Sequence, residues 1–93
     1  MQEFEYILIS VTTKNADFKK TLSELKFNYH KQLYYLGSAE NYKTFMSIYG
    51  FIDRIDSEDW FELVANASLF YVDEEAIEGF VGDLKMSKKI NIL

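Results

Sequence analysis

The amino-acid sequence predicts an α+β fold, and three observations lead to that prediction. Apolar residues follow a period of two in some segments and a helical period in others. Hydrophobic residues make up 48% of the chain and aromatic residues 17%, which is enough to build one core at a length of 93 residues. No linker, repeat or low-complexity tract divides residues 1–93. We therefore expect a single domain that folds without a disulfide, since the chain contains no cysteine.

The first part of the chain predicts a strand, a helix and a second strand. Residues 3–13 alternate around β-branched side chains and carry apolar residues on both faces, as central strands do. A helix follows that Asn15 or Asp17 can cap and that ends near Phe27. Its apolar stripe consists of Phe18, Leu22 and Leu25. Residues 29–36, rich in Tyr and Leu, predict the second strand.

Residues 42–52 are ambiguous between a helix and a strand. Ser38 offers a cap for a helix, but the β-branched and aromatic residues favour a strand, and Gly50 weakens a helix interior. We expect a strand that forms a hairpin with residues 29–36, because residues 37–41 supply turn chemistry.

The second part predicts a helix, a short strand, a further helix and a tail. Ser57 caps the first of these helices, whose buried stripe consists of Trp60, Leu63, Val64 and Ala67. Residues 69–72 form an unbroken apolar run, long enough for a buried strand. Asp73 caps the last helix, whose buried stripe consists of Ala76, Ile77, Phe80, Val81 and Leu84. Residues 85–93 are basic and then apolar, and they can pair as an edge strand or dock on a partner.

This order of elements is the split βαβ pattern of ferredoxin-like domains, with one helix appended at the C-terminus. It predicts an antiparallel sheet with helices on one face and an open second face. Tyr6, Tyr34 or Tyr35, Phe45 and Tyr49 are candidates to line that face, where aromatic residues can stack on RNA bases. The surrounding charge is too low for phosphate binding, so we expect no direct contact with nucleic acid. An open apolar face more often closes a homodimer or receives a protein.

The charge distribution is the most distinctive feature of the chain. Residues 53–83, called the acidic segment below, hold ten carboxylates and one arginine, a net charge of −9, whereas residues 1–52 carry +1. The candidate partner-binding residues are the ten acids of this segment: Asp53, Asp56, Glu58, Asp59, Glu62, Asp73, Glu74, Glu75, Glu78 and Asp83. Apolar residues interleave with them, which predicts a folded segment with an acidic surface.

The sequence supports neither an enzyme nor a cofactor. His30 is the only histidine and stands in a predicted strand, and the four glycines are too scattered for a phosphate loop. Asp53, Asp56 and Asp59 recur every third residue but lack the other ligands of a calcium loop, so a solvated helix entry is the simpler interpretation and we expect no metal. The N-terminus has neither a signal peptide nor a membrane span, which favours the cytoplasm.

Two hypotheses on function follow. The first is a non-enzymatic inhibitor from a phage or mobile element, whose acidic segment imitates the phosphates of nucleic acid and occupies a basic site on a nucleic-acid-binding protein. The alternative is a homodimeric regulatory or structural domain that associates through its open aromatic sheet face or its apolar C-terminal tail.

Overall fold

The protein has an α/β fold built on a five-stranded sheet in which every neighbouring pair of strands is parallel. The structure, a computed structural model, describes residues 6–55, 60–73 and 90–93. The elements in chain order are β1 (Ile7–Ser10), α1 (Ala16–Tyr29), a 3₁₀ turn (His30–Gln32), β2 (Leu33–Leu36), α2 (Ala39–Tyr49), β3 (Asp53–Ile55), α3 (Trp60–Asn66), β4 (Leu69–Val72) and β5 (Ile90–Ile92). Each helix of the described part is too short or too polar to cross a membrane.

The described strands lie in the order β3-β2-β1-β4-β5, so β1 is central and β3 and β5 form the edges of this described sheet. Ile9 of β1 pairs with Tyr35 of β2 on one side and with Tyr71 of β4 on the other. The chain first builds outward from β1 through β2 to β3, and then returns to the other side of β1 to form β4. The direction of winding therefore reverses between β1 and β4.

The predicted antiparallel, ferredoxin-like sheet is wrong, and the cause lies in residues 42–52. These residues form most of α2 and not the second strand of a hairpin. A helix between β2 and β3 carries the chain back along the sheet, so the next strand starts at the same end as β2 and pairs with it in parallel.

Local interactions at both ends explain why α2 is a helix. The Ser38 side chain accepts a hydrogen bond from the backbone N–H of Asn41 at 3.1 Å, which satisfies one of the free donors of the first turn. Gly50 follows the last turn with a φ of 91°, and its N–H donates to the carbonyl of Met46. Gly50 thus terminates the helix from outside, in the conformation that glycine adopts most easily.

The helices cover both faces of the sheet. α1 and α2 pack on one face, and the buried core there comprises Ile7, Ile9, Val11, Phe18, Leu22, Leu25, Leu33, Tyr35, Phe45, Tyr49 and Ile52. α3 packs on the other face, where the buried core comprises Tyr6, Leu8, Leu36, Val64, Ala67, Phe70 and Val72. The open aromatic face that the sequence predicted is therefore not found in the described part of the sheet.

Several predicted elements are confirmed. β1 is a central strand, Asn15 caps α1 through a hydrogen bond from the Phe18 N–H, and α3 and β4 stand where the sequence placed them. The tail ends in β5, which is an edge strand beside β4 and contributes half-buried Ile90 and Ile92 to the second core. The predicted last helix, residues 74–84, lies outside the described residues.

Candidate functional site

All five strands end at one edge of the sheet, which we call the carboxyl edge. Parallel α/β sheets bind their ligands at this edge, beside the strands where the direction of winding reverses. In this protein those strands are β1 and β4, which end at Ser10 and Val72. Helices α1 and α2 begin at the same edge, because each follows directly after a strand.

Asp73 joins the ends of β1 and β4. It follows β4 directly and is only 5% exposed. Its Oδ2 atom accepts hydrogen bonds from the backbone N–H of Thr12 at 2.8 Å, the N–H of Thr13 at 2.9 Å and the Thr13 hydroxyl at 2.9 Å. The Asp73 N–H in turn donates to the carbonyl of Ser10. A carboxylate with this many donors is strongly held, and it ties the two strands together.

Tyr49 fixes the loop between β1 and α1 from the side of α2. Its hydroxyl donates to the carbonyl of Thr13 at 2.7 Å and accepts from the N–H of Asn15 at 2.9 Å. Burial is the main cause that raises the pKa of the Tyr49 hydroxyl, so it stays protonated at neutral pH and remains a donor. The loop is thus held in one conformation by Asp73 on one side and Tyr49 on the other.

This loop differs from the glycine-rich loops that bind dinucleotides. Residues 11–15 contain no glycine. The backbone N–H groups of Thr12 and Thr13 already donate to the carboxylate of Asp73. Since an internal anion occupies these donors, the β1–α1 loop does not offer them to a pyrophosphate.

Tyr35 places a phenol hydroxyl at the same edge. The residue is fully buried, and its ring packs against Tyr42 and Phe45 of α2 with centroid distances of 5.5 and 5.0 Å. Its hydroxyl has no hydrogen-bond partner among the described residues. Burial raises the pKa of Tyr35 to about 12, and the nearby charge of Asp73 adds to the rise. The nearby side chain of Ser10 and the charge of Arg54 lower that pKa.

The turn between β2 and α2 covers this hydroxyl. A Cβ atom on Gly37 would lie 2.9 Å from Cε2 and 3.4 Å from the hydroxyl oxygen of Tyr35, so only glycine fits there without a shift. Arg54 of β3 reaches under the turn, and its Nε donates to the carbonyl of Gly37 at 3.0 Å. Ser38 follows as the cap of α2. The carboxyl edge thus combines a buried phenol, a guanidinium group and the first turns of two helices.

The predicted partner-binding acids fall into three groups. Asp53 and Glu62 are exposed, as a partner-binding surface requires. Asp73 is buried and bonded to the β1–α1 loop, so it adds nothing to an exposed acidic surface. The remaining acids, Asp56, Glu58, Asp59, Glu74, Glu75, Glu78 and Asp83, lie outside the described residues.

The other candidate residues do not assemble into a site. Phe45 and Tyr49 belong to α2, and Tyr35 is buried beneath that helix, so these aromatic residues do not line an exposed surface. His30 starts the 3₁₀ turn, and its side chain lies outside what the structure describes. In the described ranges, no group of three His, Cys, Asp or Glu side chains could hold a metal ion. Asp56 and Asp59 lie outside the described residues.

A cavity of about 130 Å³ lies at the opposite, amino edge of the sheet. It is lined by Tyr6, Ile7, Tyr29, Gln32, Ser68 and Leu69. The lining includes no charged residue, and the hydroxyl of Tyr6 already donates to the carbonyl of Leu63 at 2.7 Å. The carboxyl edge therefore holds the stronger concentration of polar and charged groups.

Comparisons with protein-family models, with curated proteins and with solved structures each give no match. Function must accordingly be argued from the chain itself.

The residues of the carboxyl edge were missed as a group because their common position depends on parallel strands. Ser10 and Asp73 both follow a buried apolar run, and Gly37 and Ser38 follow another. A helix over residues 42–52, capped by Ser38, gives an alternation of strands and helices that predicts a parallel sheet, and the ends of its strands identify these residues.

Proposed function

We propose that the protein is a non-enzymatic interaction module whose acidic segment occupies a basic nucleic-acid-binding site on a partner protein. One observation carries this proposal: the segment has a net charge of −9, against +1 for residues 1–52. A field of one sign attracts basic surfaces and accelerates association with them. Carboxylates one helical turn apart are about 5–6 Å from each other, a spacing that can imitate successive phosphates.

Among the described residues, the exposed charges of α1 and α2 cancel, because Lys19, Lys20 and Lys43 are balanced by Asp17, Glu24 and Glu40. These two helices cover one face of the sheet. Glu62 is exposed on α3, which covers the other face. Asp73 is not part of this surface, because it is buried.

The proposal includes an inhibitory role of the kind that phages and mobile elements use, exerted in the cytoplasm on a nucleic-acid-handling protein. The composition agrees with such a source: nine lysines to one arginine and no proline are typical of AT-rich genomes. Ordinary bacteria with AT-rich genomes share this composition, so the charge remains the main support.

The experiment compares three immobilised proteins as affinity baits in a lysate of the native host. They are the wild type, the triple variant E74K/E75K/E78K and the matched control D17K/E24K/E40K. Both variants change the net charge equally, but the control alters residues of α1 and α2. We expect the wild type and the control to retain a nucleic-acid-binding protein that duplex DNA displaces and that a KCl gradient elutes early. Retention by E74K/E75K/E78K, or binding that is insensitive to salt, would contradict the proposal.

Homodimerisation is the second candidate, and one observation favours it. β5 is an edge of the described sheet, and Leu93, which follows it, is 40% exposed. An edge strand offers unpaired backbone groups to a second copy. Light scattering at high protein concentration tests this candidate, because a monomeric mass would remove it.

A further inference from the structure

The cavity of about 130 Å³ at the amino edge of the sheet is a feature that the proposed function does not use. Two of its lining residues, Ile7 of β1 and Leu69 of β4, are paired neighbours in the sheet. Two more, Tyr29 and Gln32, come from the end of α1 and from the 3₁₀ turn that follows it. The cavity therefore lies between the beginnings of two inner strands and the end of a helix.

The strand order explains why space is left at this place. The chain runs from β1 through α1 to β2, away from β4, and α3 packs on the opposite face. Among the described residues, α1 contacts β4 at its carboxyl end, where the ring of Phe18 lies 5.5 Å from that of Tyr71. At the amino end of β4, Leu69 belongs to the same core but is only half-buried. A crevice of this kind is expected beside strands at which the winding reverses.

We propose that this cavity binds a small uncharged aromatic compound, of the size of one benzene ring and carrying one hydroxyl group. The volume suits such a ring, because an apolar protein cavity of about 150 Å³ binds benzene. None of the described residues that line the cavity is charged, so a charged compound would lose its hydration there without gaining a partner. The inference is independent of the acidic segment and of any partner protein.

The two tyrosines of the lining favour an aromatic compound over an aliphatic one. Aromatic rings gain from edge-to-face and offset contacts with each other, beyond the gain from burial alone. Tyr6 is a fixed part of the cavity, because it is buried and its hydroxyl donates to the carbonyl of Leu63. Tyr29 is 46% exposed, so a ligand that covers part of its ring removes apolar surface from water.

Ser68 supplies a polar group for the hydroxyl of the ligand. Its backbone N–H donates to the carbonyl of Tyr6 at 2.8 Å, which holds the residue beside the cavity. No described residue pairs with its side-chain hydroxyl, and a hydroxyl can both donate and accept. An apolar lining with a small number of polar groups is the usual composition of a small-molecule site.

The test is a ¹H–¹⁵N NMR titration of the full chain with phenol, at neutral pH and constant ionic strength. We expect saturable shifts of the backbone amides of Tyr29, Gln32, Ser68 and Leu69, and no change in the loop 11–15 at the carboxyl edge. Cyclohexanol has the hydroxyl but no aromatic ring, and benzoate has the ring but a negative charge. Both should bind more weakly than phenol, and equal affinity of phenol and either compound would overturn the proposal.

Two further outcomes of this titration would also overturn the proposal. The first is a set of shifts that does not saturate with phenol. The second is a shift of the same amides when the protein concentration is raised without phenol, which would assign the cavity to a second copy of the chain.

Two alanine variants and one control link the binding to the named residues. Y29A removes an aromatic contact, and we expect about two- to tenfold weaker phenol binding. F27A is the matched control, because Phe27 is 87% exposed in the same last turn of α1 and does not line the cavity. Equal phenol affinity of Y29A and F27A would refute the site.

The variant S68A tests the polar contact separately from the packing. It should weaken the binding of phenol about two- to tenfold, the usual effect of losing one hydrogen bond, and leave the binding of benzene unchanged. The bond from the Ser68 N–H to Tyr6 does not depend on the side chain, so the variant keeps the local backbone. Equal losses for phenol and benzene would show that Ser68 does not bond to the ligand.

Discussion

At the scale of single residues, Asp73 is the clearest case in which a side chain has a different role from the one that the sequence predicts. The sequence suggested a helix cap and a member of an acidic surface. The structure buries Asp73 and directs its carboxylate at Thr12 and Thr13, so it is not a member of the acidic surface. The helix that it was predicted to cap lies outside the described residues. The reason is topological, because β1 and β4 are neighbours and their ends meet.

The substitution D73N should lower the free energy of unfolding by about 1.5–3 kcal/mol, the usual contribution of hydrogen bonds to a charged group. Asparagine keeps the shape of the side chain but loses the negative charge that the donors of Thr12 and Thr13 share. Urea unfolding followed by circular dichroism measures the effect. D53N is the control, since Asp53 is exposed and a surface change of this kind stays within about 0.5 kcal/mol. Equal stabilities of D73N and D53N would show that the bonds of Asp73 contribute nothing.

The raised pKa of Tyr35 leads to a second prediction, on the stability of the protein at alkaline pH. Burial raises its pKa from 10.0 to about 12. Below pH 10 both the folded and the unfolded chain keep the proton, so the full stability is present. As the pH rises from 10 to 12 the unfolded chain loses the proton first, and the free energy of unfolding falls by about 2–3 kcal/mol. The raised pKa values of Tyr6 and Tyr49 act in the same direction.

Y35F isolates this contribution, because phenylalanine has no proton to lose. Urea unfolding at intervals between pH 9 and pH 12 should show a shallower loss of stability for Y35F than for the wild type. Parallel curves for the two proteins would mean that the Tyr35 hydroxyl titrates normally in the folded state.

At the scale of elements, α2 shows where sequence patterns succeed and where they fail. α1 was predictable because its stripe of Phe18, Leu22 and Leu25 admits only a helix, and all three are buried. In α2 a helical spacing is also present, at i, i+3 and i+7, in Tyr42, Phe45 and Tyr49, but the β-propensity of these residues favours a strand. Burial of Phe45 and Tyr49, together with the cap at Ser38, outweighs the β-propensity, which amounts to less than about 1 kcal/mol per residue.

The capping argument predicts that S38A will destabilise the protein by about 1 kcal/mol. The hydroxyl of Ser38 satisfies the Asn41 N–H, and alanine leaves that donor to water. S47A is the matched control: Ser47 is also exposed in α2, but its hydroxyl donates to the carbonyl of Thr44 within the helix. Thermal and urea unfolding should therefore rank S38A below S47A, which we expect to be neutral or slightly stabilised. The reverse order would mean that Ser38 does not cap α2.

At the scale of the whole molecule, one misassigned element was enough to change the topology. Six of the predicted segments have the correct type, yet a helix at α2 replaces a hairpin by a crossover and makes the sheet parallel. β3 was not predictable from periodicity, because three residues are too few to show alternation. The candidate site could not be predicted without the correct topology, because Ser10, Gly37 and Asp73 share an edge only if the strands run in parallel.

The strand order leads to a last prediction, on the hydrogen exchange of backbone amides across the sheet. β1 has a partner on each side, and Leu8 and Ile9 are fully buried, so their amides should exchange only when the whole protein unfolds. β3 and β5 have one described neighbour each, and their residues are exposed or half-buried. We therefore expect their amides to exchange through local opening, at free energies several kcal/mol below that of global unfolding. Native-state exchange in low denaturant measures both classes. If the amides of β3 exchanged as slowly as those of β1, β3 would have a second partner strand, and its edge position would be wrong.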